Sequence, residues 1–298
     1  MSAIATELSP DLEPLADTPS TWNTFFWKFR RNRKAVVGAA IVGFLLVLMV
    51  FAPWLAPKDP LHGELSATLE APGSEFWLGA DRNGRDVLSR LIWGSRTALG
   101  GAFAVVLISE LIGVPLGIIA GYRGGWFDTA VMRVLDIMLA FPPLLLSLAI
   151  VAAFGPSLQN VVISLGILYV PFIARVVRGV TLVQREMTYS EAARAMGYPK
   201  RRIIFRHILP NCIGPIIVVS TLDLAYALLD LAALSYLGLG VQPPTPDWGA
   251  MLSEGQGVLL TSPHLSLAAG FMILVAVLGF NLLGDGLSDV LDPRQGGR

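Results

Sequence analysis

The chain has 298 residues, 54% of them hydrophobic and only 15% charged, with a mean hydropathy of +0.62; about 25% charge is usual for a soluble domain, so the composition excludes an ordinary soluble enzyme and points to a membrane. Basic and acidic residues balance at 22 each, which gives no electrostatic reason to expect nucleic acid. One cysteine, Cys212, excludes an intramolecular disulfide, and three scattered histidines, His62, His207 and His264, are too few for a metal cluster, so neither a metal site nor a catalytic residue is expected.

A helix needs about 20 mostly apolar residues to cross the hydrocarbon core, because its backbone polar groups must be satisfied internally. In chain order, residues 1–34 read as a cytoplasmic tail whose first 27 positions, with Pro10, Pro14 and Pro19, look unstructured or peripheral. A first span is predicted over 35–56, closed by Pro53 and Pro57, then an outer loop over 57–96 and a multi-span core over 97–290. Within the core, spans are expected near 97–122, 129–154, 158–180, 212–239 and 265–283, with Gly155-Pro156 supplying the turn between the third and fourth. Residues 291–298 form a short tail. The fold class is thus an all-α polytopic membrane protein with six transmembrane helices. Trp54, Trp77, Trp93, Trp126 and Trp248 fall at span ends or in loops, as interfacial anchors do.

Orientation follows from lysine and arginine near the span ends. Lys28, Arg30, Arg31, Arg33 and Lys34 precede the first span, and eight further cations lie between Arg175 and Arg206, so both termini are predicted to be cytoplasmic. The outer loop opposes the rule with Lys58, Arg82, Arg85, Arg90 and Arg96, and must be held by the spans around it.

The polar stretch between spans four and five, about 181–211, is neither loop-like nor membrane-like. Thr188-Tyr189-Ser190-Glu191 has capping-box spacing, so a short helix is expected with Thr188 as its cap. Ala192, Ala193 and Ala195 favour helix and leave little side-chain bulk. Gly197 suits a left-handed residue after the last turn and Pro199 the first turn of a second helix, which Pro210 is expected to stop.

Glu191-Ala192-Ala193, then Gly197, then His207-Ile208-Leu209-Pro210 resembles the EAA loop of the transmembrane subunits of bacterial binding-protein-dependent ABC importers. The histidine in HILPN is similar to the peptide and nickel branch. The blocks LGADRNGRDVLSRLIWGSRTAL, GYRGGWFDTAVMRVLDIMLAFP, SYLGLGVQPPTPDWGAML and FNLLGDGLSDVLDPR resemble the C-type permease of dipeptide and oligopeptide systems. The resemblance implies the type I ABC importer transmembrane fold in the bacterial cytoplasmic membrane, with import of dipeptides or oligopeptides by alternating access. It implies a homologous B-type permease, two ABC ATPase subunits and a periplasmic or lipid-anchored solute-binding protein as partners. Glu191, Ala192, Ala193, Gly197, Leu209 and Pro210 would then form the segment that docks on an ATPase. ATP and magnesium would sit on those ATPases, and this chain would bind no cofactor; no G-x-x-x-x-G-K-[ST] phosphate loop occurs in it. The competing reading is an ion-coupled secondary carrier working alone, although no inverted halves are evident.

Carboxylates inside spans cost about 2.5–3.5 kcal/mol on an insertion scale, so each needs a reason. Asp223 and Asp230 lie seven apart on one helix face. Either they and Glu110 line the translocation path, or they serve as hydrogen-bonding groups inside the bundle. Asp136 with Arg133 is expected to form an i,i+3 pair. Asp81, Gly84, Arg85 and Asp86 form a turn before an amphipathic helix: the resemblance implies a periplasmic gate or binding-protein dock, and the alternative is simply a helix on the membrane surface.

Overall fold

A computed structural model describes residues 21–291, and the predicted tail segments 1–20 and 292–298 lie outside the described residues. The described chain is helical: α1 (Thr21–Arg31), α2 (Arg33–Leu55), α3 (Val87–Arg123), α4 (Gly125–Leu139), α5 (Pro143–Phe154), α6 (Leu158–Arg185), α7 (Thr188–Ala195), α8 (Lys200–Ile203), α9 (Leu209–Tyr236), α10 (Trp248–Gln256) and α11 (His264–Leu291). Among the described residues the one β feature is an isolated bridge between Ala80 and Asp86. Five helical runs are long and apolar enough to cross a membrane, and α4 with α5, bent by 78°, makes a sixth if the pair is one broken span rather than a re-entrant loop.

The predicted spans are present with different bounds. Asn32 accepts a hydrogen bond from the Ala35 amide and starts α2 at Arg33, two residues early. The largest correction concerns the second span: α3 begins at Val87, capped by Asp86, and runs 37 residues without interruption, so the expected loop boundary at 97 falls inside a helix. Hydropathy places a boundary where charges end, whereas a helix needs only a cap and continuous backbone bonding. The third span is broken where Pro142 and Pro143, lacking N–H groups, end the ladder between α4 and α5. Pro210 does not stop the second helix of the 181–211 segment. A π-helical turn at Ile204–Ile208 adjusts the bonding ahead of the proline, with the Leu209 amide reaching the Ile204 carbonyl, and the chain continues from Lys200 to Tyr236 as one 37-residue rod. The sixth span extends to Leu291 rather than 283, and α10, capped by Asp247, occupies the connection before it. Part of the N-terminal stretch expected to lack structure is α1.

Close packing of the bundle depends on glycine. Gly113, Gly117 and Gly121 form a small-xxx-small row on α3 that lies against the α6 backbone. A Cβ at Gly117 would stand 2.5 Å from the Ala174 carbonyl oxygen, and one at Gly121 would stand 2.9 Å from that of Arg178. Because 113 faces 170–173 and 121 faces 178–181, α3 and α6 run parallel. Helices α2 and α11 pack antiparallel through Gly38 against Leu283 and Gly286 against Ala35. Asn32 donates to Asp289 at 3.1 Å and Lys34 pairs with it at 3.7 Å, so the two described ends share one side of the bundle. Trp248, expected as an interfacial anchor, is fully buried and donates its indole N–H to the Leu91 carbonyl at 2.8 Å; Trp54, Trp77 and Trp126 are exposed as anchors are. Asp136 pairs across helices with Arg175 at 2.7 Å rather than with Arg133 on its own helix.

Candidate functional site

Three places carry the predicted site residues. The first is the turn of chain between α6 and α9. The N-cap of α7 is Met187, which has no side chain able to cap, and Thr188 is the first helical residue, so the expected capping box does not form. Instead the helix is tied to the end of α6: Ser190 Oγ donates to the Gln184 carbonyl at 2.7 Å, Tyr189 Oη to Gln184 Oε1 at 2.5 Å and Arg194 to the Arg185 carbonyl at 3.0 Å. Gly197 takes φ +75°, and the bonds from Tyr198 N to Ala193 O and from Gly197 N to Arg194 O complete a Schellman ending, as the sequence leads one to expect. Pro199 caps α8 rather than entering its first turn.

The alanines of the tripeptide divide their work. Ala193 is buried against Ile203, Ile208 and Cys212 and fastens α7 to the bundle. Thr188, Glu191, Ala192 and Ala195 share the opposite face, which is exposed and, Glu191 apart, free of bulk. Leu209 packs inward beneath the segment, while Pro210 is exposed. His207 stacks on Tyr198 and meets Tyr189 at a tilt of 38°, with ring centroids 6.3 Å away in each case. Beneath this segment Arg185 Nη1 donates to the Gly121 and Tyr122 carbonyls at 3.3 Å each, joining the end of α6 to the end of α3.

The second place is a cavity of about 510 Å³ bordered by Pro142 and Pro143 at the α4–α5 bend, by Tyr169 and Phe172 of α6, and by Asp223, Tyr226 and Asp230 of α9. Asp223 and Asp230 therefore do share one face, and it opens into a hollow. Tyr169 Oη donates to Asp230 at 2.9 Å, whereas Asp223 makes no hydrogen bond or ion pair among the described residues. Glu110 stands apart from the cavity wall and accepts a hydrogen bond from Ser220 Oγ, one turn before Asp223 on α9. Tyr169 and the paired prolines were absent from the sequence-level site. Pro142-Pro143 after an apolar helix is a legible break, but nothing local ties it to acids 80 residues on.

The third place is the turn before α3. Asp81, Gly84, Arg85 and Asp86 are all buried. Asp81 accepts from the Asn83 and Arg85 amides and pairs with the Arg85 guanidinium at 2.7 Å and with Arg90 at 3.3 Å; Glu254 of α10 lies 3.6 Å from both arginines. Arg90 is 1% exposed and also reaches the Pro60 and Pro244 carbonyls. Gly84, at φ +70°, is required because a Cβ would meet the Glu64 carbonyl at 1.8 Å. Arg90 and Glu254 complete an ion network of which the sequence showed only the Asp81–Asp86 half. What the turn exposes is Arg82 and Asn83. Of the five cations in the predicted outer loop, Arg85 and Arg90 are neutralised by this network, and Lys58 lies 3.6 Å from Glu75.

Residues 113–297 match the family described as binding-protein-dependent transport system inner membrane component, and residues 20–72 match the N-terminal TM domain of oligopeptide transport permease C. The dipeptide transport system permease protein DppC of Alkalihalophilus pseudofirmus is 43% identical over 96% of this chain and 94% of its own length. The glutathione transport system permease protein GsiD of Pectobacterium atrosepticum is 42% identical, covering 92% of this chain and 91% of its own. Among solved structures, an inward-facing conformation of the MetNI methionine ABC transporter superposes with a TM-score of 0.57 at 19% identity, covering 68% of this chain and 97% of that one, a likeness of fold. This α-helical chain, matched over most of its length, belongs to the inner-membrane permease components of binding-protein-dependent ABC importers, non-catalytic subunits whose ATP is hydrolysed on separate chains.

Proposed function

We propose that this chain is one of two permease halves of a peptide importer, translocating dipeptides or oligopeptides by alternating access. It would pair with a homologous B-type permease, two ATPase subunits that hold ATP and magnesium, and a solute-binding protein. Family membership favours this over an ion-coupled carrier. The peptide assignment is supported by relatives named for dipeptide and glutathione transport. The observation that carries the coupling role is the exposed face Thr188, Glu191, Ala192 and Ala195 on a helix pinned from behind by Ser190 and Ala193. Small side chains permit close approach by a partner groove, Glu191 supplies one charge to meet a partner cation, and Gly197 with Leu209 and Pro210 sets the angle at which the segment rejoins α9.

This end is cytoplasmic, along with both termini; its support is the density of arginine and lysine there and the joining of residues 32–34 to Asp289. Asp223 and Asp230 form an acidic wall on the translocation path suited to the cationic terminus of a peptide, and Ser220 anchors Glu110 behind it. Asp81, Gly84, Arg85 and Asp86 shape the periplasmic gate by clamping α3 to α10, while contact with the solute-binding protein at this turn falls to Arg82 and Asn83. The test is uptake of labelled dipeptide by vesicles containing the assembled complex. Glu191→Ala should abolish uptake and uncouple ATPase binding while the chain still inserts. Peptide transport by this chain alone, driven by an ion gradient, would overturn the proposal.

A further inference from the structure

Beside the turn between α7 and α9 lies a groove of about 530 Å³ formed by the last third of α3 and the chain from Lys200 to Leu209. Its walls are apolar, with Val114, Ile118, Ile119 and Phe205 among them, and its mouth is rimmed by Arg123, Lys200 and Arg201. Ile119 is 40% and Phe205 67% exposed, and the same side of α3 continues outward through exposed Leu107, Leu111 and Ile112, so the groove opens onto the hydrocarbon-facing surface of the bundle. From position 114 to 123 the helix rises about 14 Å, close to the roughly 15 Å of one leaflet of a hydrocarbon core about 30 Å thick.

The rim lacks acidic partners. The three cations of α6 are paired, Arg175 with Asp136, Arg178 with Asp128 and Arg185 with Glu186, whereas among the described residues the cations of the segment after α6 are in no ion pair. Arg123, Lys200 and Arg201 form no ion pair among the described residues; Arg123 lies over the Phe127 ring at 5.3 Å. Three unpaired cations at the level where a helix leaves the membrane, above an apolar trough one leaflet deep, match an amphiphile with an anionic head and a hydrocarbon tail. We propose that this groove is a site for an anionic phospholipid of the cytoplasmic leaflet. Its phosphate is held by Lys200, Arg201 and Arg123, and one acyl chain lies along Ile118, Ile119 and Phe205. The leaflet assignment rests on the orientation proposed above, while the site itself rests on the groove. Because Lys200 and Arg201 begin α8, the headgroup bridges α3 to the segment that carries α7.

The test is native mass spectrometry of the purified full complex with phosphatidylglycerol or phosphatidylcholine added in equal amounts, a readout independent of sidedness. Wild type should retain phosphatidylglycerol in preference to phosphatidylcholine. Arg123→Gln, Lys200→Gln and Arg201→Gln should each weaken that retention about fivefold, the equivalent of about 1 kcal/mol per cation near a membrane surface. Ile119→Trp, which fills the trough and leaves the charge intact, should lose it as well; if that variant fails to assemble, the charge variants decide alone. Arg206→Gln, on the same segment but outside the groove, should retain the lipid as wild type does. Equal retention of both lipids, or an Arg206→Gln loss matching that of Lys200→Gln, would overturn the site. So would a rim-neutralised complex that keeps phosphatidylglycerol but sheds a protein subunit, since the rim would then be a protein interface.

Discussion

Replacing Gly117 with alanine tests the packing on which the bundle depends. A Cβ there would lie 2.5 Å from the Ala174 carbonyl oxygen, 2.9 Å from Val177 Cβ and 3.0 Å from the Arg178 amide nitrogen, against 3.4 Å for ordinary contact. The obstacles include backbone, which cannot rotate away, so α3 and α6 must separate by about 0.9 Å, the difference between 3.4 and 2.5 Å. A gap of 0.5–1 Å forfeits about a quarter to a half of each dispersion contact it opens, and overpacking by one methyl costs about 1–3 kcal/mol. Alanine also removes glycine's helix penalty, worth up to about 1 kcal/mol, and Gly179 on α6 provides the control because a Cβ there meets nothing within 4 Å. Unfolding of both variants in detergent, by denaturant titration or thermal shift, should place Gly117→Ala about 1–3 kcal/mol below Gly179→Ala. If the two variants are equally stable, the close parallel contact of α3 with α6 is not the source of stability argued here.

Gly197 has open space around it but sits at φ +75°, so its constraint is conformational. Gly197→Asn should therefore retain peptide uptake and Gly197→Val should lose it, with a strain of about 1–2 kcal/mol deciding between them. Asp128 and Arg178 join α4 to α6 by paired contacts of 2.5 and 2.6 Å; a double-mutant cycle with Asp128→Asn and Arg178→Gln, read by thermal unfolding, should give a coupling of about 0.5–3 kcal/mol. Burial raises the Asp247 carboxyl above the usual aspartate range, while bonds from the Ala250 and Gly249 amides and from Ser235 and Thr97 oppose the shift. An acid raised on folding favours the folded state below its unfolded pKa of about 3.9 and loses that contribution as pH climbs through the folded value. The stability of wild type relative to Asp247→Asn, which keeps an N-cap, should accordingly fall as pH rises above about 4, and parallel pH profiles would refute the assignment.

Much of this fold is legible in the sequence because membrane spans announce themselves by composition, and the left-handed Gly197 by its context. The boundaries were less legible for a specific reason. Charge around the start of α3 reads as loop until Asp81 and Glu254 are seen to neutralise Arg85 and Arg90. Glu254 comes from a helix about 165 residues later, and no local window contains it. Pro210 reads as a stop because proline lacks an N–H, yet a single π turn before it was enough to keep the rod continuous. The row Gly113, Gly117, Gly121 was readable as a helix-packing stripe, but its partner helix was not. Asp223 and Asp230 were rightly placed on one face by their spacing, while the hollow they border is assembled from α5, α6 and α9 and exists only in three dimensions.

The unbroken run from Lys200 to Tyr236 has a mechanical consequence. Thirty-seven residues at about 1.5 Å each make a strut about 55 Å long, far longer than a hydrocarbon core of about 30 Å. It carries α8 at one extremity and Asp223 and Asp230 farther along, joined by continuous helix. The π turn at Ile204–Ile208 and Pro215 are the compliant links between the two. A tilt imposed at the foot of such a strut reaches the acids through these links, and their stiffness sets how much of the stroke arrives.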